Sequence, residues 1–512
     1  MLVKTYGSAV TGIDAVTVTI EVNILQGTKF FLVGLPDNAV KESQQRIESA
    51  LKSNGFRWPG WKIIINMAPA DIRKEGSAYD LPLAIGVIAA SEQLVSDKLE
   101  KYVIMGELSL DGEIKPIKGI LPIAIEARKQ GFKGFILPKA NAREAAVVND
   151  LEIIGVKNLK EVIDFLSGDK EIEPLVVNTR EEFFDNLNNY SVDLEDVKGQ
   201  ENVKRALEIA ASGGHNIIMI GPPGAGKTML AKRLASITPP LTLHEALETT
   251  KIHSVSGLLD TNSSLITQRP FRSPHHTISN IALVGGGQNP QPGEISLAHN
   301  GVLFLDELPE FQRTVLEVMR QPLEDRKICI SRSKYSVEYP ASFMLVASMN
   351  PCPCGYYNHP DKECVCSSGV VQRYLNKISG PLLDRIDIHV EVVPVPFSKL
   401  SESRPSEKSE DVRKRVVETR KIQEERFANV SDVHCNAQMS SALLRKHCKL
   451  NNECQQLLKT AVEKLGLSAR AYDRILKVSR TIADLEKSND IKPGHVAEAI
   501  QYRSLDRENW AG

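Results

Sequence analysis

The sequence predicts an α/β protein with two α/β modules followed by a helical segment. Runs with strand-like alternation, such as 16–22 (VTVTIEV) and 62–66 (KIIIN), are interspersed with amphipathic helical runs such as 39–55. A glycine-rich loop, 221–228 (GPPGAGKT), lies between an apolar strand-like run and a helix-like run. Beyond a polar stretch near position 400, apolar residues recur at helical spacing to the end of the chain.

The chain has 512 residues, which is too long for one ordinary hydrophobic core, so we expect two to four domains. Changes in composition predict the boundaries. The predicted units are an amino-terminal α/β module at 1–168, an acidic linker at 169–190, a second α/β module at 191–395, a polar loop at 396–410 and a helical domain at 411–512.

The charge balance and the apolar runs exclude some classes of protein. Lys and Arg number 63 against 64 Asp and Glu, so any contact with nucleic acid must come from a local patch or an inner channel. The longest apolar run, 81–90, is too short to span a bilayer, and the first residues lack the core of a secretory signal. We therefore predict a cytoplasmic protein without membrane contact, whose eight cysteines are reduced.

The glycine-rich loop fits the pattern G-x-x-x-x-G-K-[ST] of a phosphate-binding loop. Its backbone N–H groups would surround the phosphates, Lys227 would reach the outer phosphates, and the Thr228 hydroxyl would hold Mg²⁺. ATP and Mg²⁺ are the predicted cofactors. The predicted nucleotide-binding residues are Gly221, Pro222, Pro223, Gly224, Ala225, Gly226, Lys227 and Thr228.

Two further strands end in polar residues suited to phosphate chemistry. The apolar run 302–305 is followed by Asp306, predicted to bind Mg²⁺, and Glu307, predicted to polarise the attacking water. The alternative for Glu307 is a carboxylate that begins a helix. The strand-like run 343–350 ends in Asn350, which can lie between the second carboxylate and the terminal phosphate.

Two arginines complete the predicted machinery. Arg385 precedes an alternating strand in GPLLDRIDIHVEV, and Arg470 lies in the first turn of a helix that Ser468 could cap. The alternatives are that Arg385 pairs with Asp384 or Asp387, and that Arg474 competes with Arg470.

Taken in order, these five pieces resemble Walker A, Walker B, sensor 1, the arginine finger and sensor 2 of the AAA+ ATPases. The stretches RPFRSPHHTISNIALVGGG, NPCPCGYY and LSARAYDRILKVSRTIADL resemble, more narrowly, the magnesium-chelatase-like YifB/ComM family. The resemblance implies a central AAA+ αβα domain followed by a helical lid. It also implies that Arg385 acts in trans on the ATP of a neighbouring subunit and that Arg470 acts on the γ-phosphate.

The amino-terminal module resembles the proteolytic domain of Lon-type proteases, an α+β fold, through EGSAYDLPLAIGVIAA and MGELSLDGEIKPIKG. Ser77 falls on the serine position of that family, but the lysine position falls near Leu121. A serine without an adjacent base is a poor nucleophile, so we expect no peptidase activity. Lys115 and Lys118 are alternative bases, although both lie on the turn side.

Four cysteines follow Asn350 as two C-x-C pairs, Cys352 with Cys354 and Cys364 with Cys366. Four thiolates could hold Zn²⁺ in tetrahedral geometry, although zinc pairs usually have two residues between the cysteines. His359 could replace one ligand. The alternative is four reduced cysteines on an ordinary loop.

Cationic residues cluster on two predicted loops. The run 327–350 favours a strand, a turn and a strand, with Arg332, Lys334 and Tyr335 near the tip, and the resemblance places such a hairpin in the channel of a ring. A second loop, 269–290, carries Arg272 among other cations. Cations beside an aromatic residue can hold phosphates and stack a base without reading sequence.

The sequence therefore predicts an ATP-driven motor that forms a homo-oligomer, by resemblance a hexameric ring, and moves single-stranded or branched DNA through its channel. The resemblance implies branch migration or helicase action in recombination, for instance in natural transformation, with recombination proteins as candidate partners. The alternatives are the motor subunit of a magnesium chelatase and an ATP-driven remodeller of proteins.

Overall fold

The structure, a computed structural model, describes residues 2–186, 192–260, 264–287, 290–332, 335–357, 359, 362–395, 406–430 and 433–503. The strands are β1 (Leu2–Thr11), β2 (Asp14–Leu25), β3 (Phe30–Val33), β4 (Lys62–Ala68), β5 (Tyr102–Ile104), β6 (Glu107–Leu108), β7 (Ile114–Lys115), β8 (Gly134–Pro138), β9 (Glu152–Val156), β10 (Ile217–Ile220), β11 (Phe271–Arg272), β12 (Gly285–Gly286), β13 (Gln291–Pro292), β14 (Val302–Leu305), β15 (Lys327–Arg332), β16 (Tyr335–Pro340), β17 (Met344–Met349) and β18 (Ile388–Glu391).

The α-helices of the described residues are Asn38–Lys41, Ser43–Ser53, Asp80–Ala90, Ile120–Lys129, Ala142–Ala145, Leu159–Ser167, Thr179–Asn186, Glu201–Gly213, Lys227–Ile237, Leu243–Ser256, Asn280–Val284, Glu294–Leu297, Arg313–Val318, Arg320–Asp325, Ser368–Leu375, Gly380–Leu383, Ser409–Phe427, Ser441–His447, Asn452–Leu465, Ala469–Leu485 and Pro493–Gln501. Short 3₁₀ turns are found at Ser77–Tyr79, Lys139–Asn141, Leu194–Asp196, Leu308–Glu310 and Asn436–Gln438.

The amino-terminal sheet has seven strands in the order β3-β4-β2-β1-β5-β8-β9. Strand β2 runs antiparallel to β1 and β4, and the remaining neighbours are parallel. The apolar run 81–90 forms most of the helix Asp80–Ala90, in which every residue is buried. That run is therefore part of a core helix. Among the described residues, no helix combines the length and the apolar character needed to cross a bilayer.

The second sheet has five parallel strands in the order β11-β14-β17-β10-β18. The carboxyl ends of β10, β14 and β17 therefore lie side by side at one edge of the sheet, where ligands bind in open α/β folds. Residues along β10 alternate between two apolar cores: Ile217 and Met219 face one, while Ile218 and Ile220 face the other. The second sheet is thus covered on both faces, as expected for parallel strands.

The carboxyl-terminal helices share one of these cores with the second sheet. The helix Ser409–Phe427 packs against the helices Glu201–Gly213 and Lys227–Ile237, and the helix Ala469–Leu485 also packs against Glu201–Gly213. Two local signals behave as the sequence indicates. Pro493 begins the last helix, and the Ser468 hydroxyl accepts a hydrogen bond from the Ala471 N–H at 3.1 Å.

Two segments differ from the sequence-based expectation. The run 39–55 forms two helices, Asn38–Lys41 and Ser43–Ser53, instead of one. The predicted linker 169–190 contains the helix Thr179–Asn186, and its Phe183 is buried against the amino-terminal core. The sequence does not predict this helix, because one buried aromatic residue in a polar segment gives no repeat of apolar residues at helical spacing. Of the predicted loop 396–410, residues 396–405 lie outside the described part of the chain.

The two sheets are joined by buried polar contacts. The helix Leu243–Ser256, which follows the phosphate-binding loop in sequence, packs against the helix Ile120–Lys129 of the amino-terminal module. The Glu144 carboxylate accepts hydrogen bonds from the Ser254 hydroxyl and, at 3.0 Å, from the Leu121 N–H. Burial raises the pKa of this carboxyl, although the hydrogen bonds oppose the rise.

The turn between β1 and β2 makes a second connection. Ile13 packs into the apolar core on one face of the second sheet. A Cβ added at Gly12 would lie 3.1 Å from Cγ1 of Val337 in β16. The amino-terminal module therefore contacts the hairpin formed by β15 and β16.

Replacing Glu144 tests how much the buried contact stabilises the chain. We expect Glu144→Ala to lower the free energy of unfolding by about 1–3 kcal/mol, because the buried Leu121 N–H loses its charged acceptor. Glu144→Gln keeps an oxygen acceptor and should cost less. Urea denaturation followed by the fluorescence of Trp58 and Trp61 measures the change. Lys139→Ala, an exposed change on the neighbouring turn, is the control. Unfolding of Glu144→Ala at the wild-type urea concentration would contradict the assignment.

Candidate functional site

The loop 221–228 leaves the carboxyl end of β10 and leads into the helix Lys227–Ile237. Gly224 and Gly226 have φ values of 78° and 87°, in the left-handed region that favours glycine. A Cβ added at Gly221 would lie 2.3 Å from the Val392 carbonyl oxygen, so a side chain at that position would collide with backbone. The glycines are thus required by the path of the loop, and the loop precedes a helix N-terminus of the kind that binds phosphate.

The ammonium group of Lys227 lies inside the loop and touches the end of a neighbouring strand. Its Nζ donates to the carbonyl oxygens of Gly221 and Pro222 at 2.7 and 2.9 Å, and to Oδ1 of Asn350 at 3.1 Å. Desolvation lowers the pKa of Lys227, while Asp306 and Glu307 oppose that change. The structure therefore brings Lys227 and Asn350 within hydrogen-bond distance of each other.

Asp306 lies at the carboxyl end of β14, beside the phosphate-binding loop. Its carboxylate accepts hydrogen bonds from Thr228 Oγ1 at 2.7 Å and from the Ser348 hydroxyl. Oxygen ligands of this kind are those that Mg²⁺ takes from proteins, so the residues present fit a Mg²⁺–nucleotide ligand. The sequence does not predict the contact of Ser348, on β17, with Asp306. A serine within a strand-like run carries no local pattern that indicates its neighbour on another strand.

Glu307 follows with φ of 54°, a left-handed conformation that is uncommon for a residue with a side chain. Its side chain remains 57% exposed and makes no cap to the 3₁₀ turn Leu308–Glu310 that follows. The helix-start role considered for Glu307 is therefore not the one seen. The exposed carboxylate of Glu307 therefore lies at the edge of the sheet, where it is accessible to solvent.

His276 lies close to Glu307, although the two are 31 positions apart in the sequence. His276 Nδ1 is 3.9 Å from Glu307 Oε2, and the His276 ring lies against that of His275 with centroids 4.1 Å apart. His276 follows β11, which pairs with β14 in parallel. The strand order, which is not visible in the sequence, is what places this loop beside Glu307.

Arg385 is buried in this chain and paired with a carboxylate that the sequence did not suggest. Its guanidinium group forms an ion pair with Glu324 and donates to the Pro381 carbonyl oxygen. Only 5% of the residue is exposed, and its Nε has no hydrogen-bond partner. The ion pair of Arg385 is thus formed with Glu324, and not with Asp384 or Asp387.

Arg470 and Arg474 have different surroundings. The Arg470 side chain is 59% exposed and lies 3.4 Å from Asp384 Oδ2. Arg474 is 3.0 Å from the buried carboxylate of Asp387. Burial opposes ionisation of Asp387, but Arg474 and His215 hold its pKa well below the usual range. Arg474 is thus committed to a buried ion pair, while Arg470 reaches solvent.

Arg385 and Arg470 lie at the opposite end of the sheet from the phosphate-binding loop. Strands β10 and β18 are parallel neighbours, with Ile217 opposite Ile388 and Ile220 opposite Glu391. The phosphate-binding loop follows the carboxyl end of β10, whereas Arg385 precedes the amino end of β18 and Arg470 contacts its neighbour Asp384. The arrangement separates the two arginines from the phosphate-binding loop of their own chain.

The four cysteines after Asn350, which we call the thiol cluster, converge on one point. The members are Cys352, Cys354, Cys364 and Cys366, and their sulfur atoms all lie within 4.8 Å of one another. The Sγ–Sγ distances are 3.3 Å for Cys352–Cys354, 3.6 Å for Cys352–Cys364 and 3.5 Å for Cys354–Cys364. These distances exceed the disulfide bond length of about 2.05 Å, so the sulfurs are unbonded thiols.

The residues predicted to contact DNA are only partly described. Arg332 and Tyr335 are opposite positions in the backbone register at the end of the antiparallel pair β15–β16, while Lys334 lies outside the described residues. Arg272 lies on β11 and forms two hydrogen bonds of 2.7 Å with Glu294. Its charge is therefore already neutralised within the chain.

The serine of the amino-terminal module has an acidic neighbour. The Ser77 hydroxyl donates to the Glu107 carboxylate, and Leu121 is fully buried. Lys115 Nζ pairs with Glu113 at 2.7 Å, and the Lys118 side chain packs near Gly257. Among the described residues, no hydrogen bond joins Ser77 to a lysine.

Three family models match the chain. A model described as magnesium chelatase, subunit ChlI, matches residues 193–400. One described as subunit ChlI of Mg-chelatase matches residues 20–141, and one described as the ChlI C-terminal region matches residues 406–503. The phosphate-binding loop, Asp306, Glu307 and Asn350 all fall within the first of these matches.

The chain is also similar to curated proteins. The competence protein ComM of Haemophilus influenzae is 45% identical over 504 residues, which cover 98% of this chain and 97% of the relative. The uncharacterized protein YifB of Escherichia coli is 44% identical over 502 residues, covering 98% and 96%. Lon protease 2 of Bacillus subtilis is 33% identical over 157 residues, covering 28% and 27%. This chain belongs to the ComM/YifB family of magnesium-chelatase-like AAA+ proteins and carries an amino-terminal region homologous to Lon proteases.

Proposed function

We propose that this protein is an ATP-hydrolysing motor that assembles into a ring, by family resemblance hexameric, and moves DNA through its channel. The observation that carries the proposal is the separation of the phosphate-binding loop from Arg385 and Arg470 across one parallel sheet. A chain built in this way has half of an ATPase site at each end. A ring of copies would complete every site with the arginines of a neighbour.

Within one chain, each residue has a distinct part in hydrolysis. The N–H groups of 221–228 and the Lys227 ammonium would bind the phosphates, and Thr228 and Asp306 would hold Mg²⁺, which supplies charge neutralisation. Glu307 would accept a proton from the attacking water, and Asn350 would orient that water or the terminal phosphate. Lys227 already makes the carbonyl contacts that phosphate oxygens would replace.

Arg385 and Arg470 would stabilise charge that develops on the γ-phosphate of the adjacent subunit. Arg470 is exposed and ready for such a contact. Arg385 would first have to leave Glu324. Hydrolysis would then depend on how closely neighbouring subunits dock.

DNA is the proposed substrate, with single-stranded or branched DNA preferred. The similar protein of Haemophilus influenzae is named for competence, which supports a role in recombination of incoming DNA, as branch migration factor or helicase. The hairpin β15–β16, whose last register pair is Arg332 and Tyr335, would contact the DNA backbone, and Lys334 is proposed from its place in the sequence to join them. Recombination proteins are the partners that such a role implies, and the cytoplasm is the proposed location.

A magnesium-chelatase motor subunit is the second candidate, favoured by the descriptions of the three matching family models. An ATP-driven remodeller of proteins, using the Lon-like module as a docking platform, is the third. The three differ in what stimulates ATP hydrolysis: DNA, a chelatase partner with porphyrin, or a protein substrate. Measuring ATPase rates with forked DNA and with an unfolded protein separates the first candidate from the third.

The thiol cluster is proposed to bind Zn²⁺. Four sulfurs around a tetrahedral zinc, each at about 2.3 Å, lie about 3.8 Å apart, and three Sγ–Sγ pairs of the thiol cluster lie 3.3, 3.5 and 3.6 Å apart. The Lon-like module is proposed to have no peptidase activity, because Ser77 donates to a carboxylate and the lysine position falls near the buried Leu121, in a stretch without lysine.

Glu307→Gln tests the assignment of the catalytic base. We expect the variant to bind ATP with wild-type affinity but to hydrolyse it about 10²–10⁴-fold more slowly, because the amide cannot accept the proton. Steady-state phosphate release and equilibrium binding of a fluorescent ATP analogue measure the two properties. Glu310→Gln, on the adjacent turn, is the control. A variant that hydrolyses ATP at the wild-type rate would contradict the assignment.

Mixing two inactive variants tests whether Arg385 acts across a subunit boundary. Lys227→Ala removes a phosphate ligand and Arg385→Ala removes the finger, so each protein alone should lose at least about 10²-fold in ATPase rate. Mixed rings would contain interfaces with an intact loop from one subunit and an intact arginine from the other. We expect partial recovery of the ATPase rate on mixing. Mixed assembly without recovery would show that both residues act in the same chain.

Lys334→Ala tests the hairpin as a DNA contact. Removing one phosphate contact should weaken DNA binding and reduce the salt dependence, log K against log salt, by about one unit in slope. The ATPase rate without DNA should remain at the wild-type value, while stimulation by forked DNA falls. Lys52→Ala, an exposed change in the amino-terminal module, is the control. Unchanged stimulation in Lys334→Ala would remove the hairpin from the DNA site.

A further inference from the structure

The thiol cluster belongs to a loop that has almost no apolar core of its own. Cys352 is fully buried, and the apolar cluster of the loop consists of Cys352 and Val371, with Tyr357, Leu375 and the other three cysteines partly buried around them. Other described positions of the loop, such as Glu363 and Val365, are exposed to solvent. A loop with so little apolar area cannot fix its shape by packing alone, so a metal held by the four thiolates would supply that order.

Two ends of one short segment of this loop touch the nucleotide site. At its start, Asn350 Oδ1 accepts a hydrogen bond from Lys227 Nζ at 3.1 Å. At its end, Gly355 lies against the phosphate-binding loop, and a Cβ added there would be 2.5 Å from Cδ of Pro223. Gly355 also has φ of 86°, which favours glycine.

Two members of the thiol cluster lie between these contacts. Cys352 and Cys354 are the second and fourth residues after Asn350, and the Gly355 N–H donates to the Cys352 carbonyl oxygen at 3.0 Å. A metal that fixes these two sulfurs to the distant pair Cys364 and Cys366 would therefore fix the positions of Asn350 and Gly355 as well. Both contacts to the phosphate-binding loop depend on this segment.

We infer that a zinc ion bound by the thiol cluster braces the phosphate-binding loop, so that loss of the metal weakens nucleotide binding. The inference rests on the proposed nucleotide-binding function and adds a second role for the cysteines. Zinc here does not take part in hydrolysis. It keeps the loop in its binding-competent form, and a fall in that fraction raises the apparent dissociation constant in proportion.

Three variants of the full-length chain separate the steps. Cys354→Ser combined with Cys364→Ser removes one ligand from each C-x-C pair. Gly355→Ala keeps all four thiols but introduces a methyl group against Pro223. Val365→Ser is the matched control, because Val365 lies between two of the cysteines and is 86% exposed. Zinc content by mass spectrometry and the affinity for a fluorescent ADP analogue with Mg²⁺ are measured on each protein.

We expect one zinc per chain in the wild type, in Val365→Ser and in Gly355→Ala, and none in the double cysteine variant. Nucleotide affinity should fall on the order of tenfold in the double variant and in Gly355→Ala, and stay unchanged in Val365→Ser. Stripping the wild-type protein with a zinc-selective chelator should weaken binding by the same factor, and added zinc should restore it. This reversal does not depend on the folding of any variant.

Different failures have different meanings. Wild-type protein without zinc would overturn the metal site. Zinc-free protein that binds the ADP analogue with wild-type affinity would overturn the brace while leaving the metal site intact. Wild-type protein that holds zinc but binds no nucleotide would overturn the proposed ATPase function and the inference that rests on it.

Discussion

The parallel pairing of β10, β14 and β17 is the constraint on which the candidate site depends. Each strand ends in one part of the site: the phosphate-binding loop, the carboxylates Asp306 and Glu307, and Asn350. Parallel strands place their carboxyl ends at one edge, so residues 78 and 123 positions apart meet within hydrogen-bond distance. The contact of Lys227 with Asn350 and that of Thr228 with Asp306 are its direct consequences.

These contacts also place the ammonium group of Lys227 and the carboxylate of Asp306 where a highly charged ligand such as a polyphosphate would bind. Lys227 is largely buried, and desolvation lowers the pKa of its ammonium group, although two carbonyl oxygens accept hydrogen bonds from it. A polyphosphate would give that ammonium a stronger partner. Asp306 is held by Thr228 and Ser348, so its carboxylate is already oriented toward the loop. The hydrogen bonds of Lys227 and Asp306 thus fix both charged groups relative to the loop.

The Lon-like module is fastened to the second sheet at the start of the helix Ile120–Lys129. Leu121 is buried there, and its N–H donates to Glu144, which also accepts from Ser254 of the second module. The β1–β2 turn contacts the second sheet through Ile13, which packs into the apolar core that contains Ile218 and Ile220. Homology to Lon proteases predicts the fold of this region, but the polar contacts that join the modules come from residues with no motif.

Sequence alone predicted the phosphate-binding loop, the acidic pair after β14 and the two C-x-C pairs, because each is a local pattern whose spacing has a physical reason. It also predicted an α/β protein from runs with strand and helix periodicity, whereas the parallel direction of the strands in the second sheet is seen only in the structure. Tertiary structure alone decided the pairing of Arg385 with Glu324, the position of His276 beside Glu307 and the packing of Gly355 against Pro223. Those contacts depend on the order of the strands and on side chains that are distant in the sequence. Local patterns of polar and apolar residues contain information on neither.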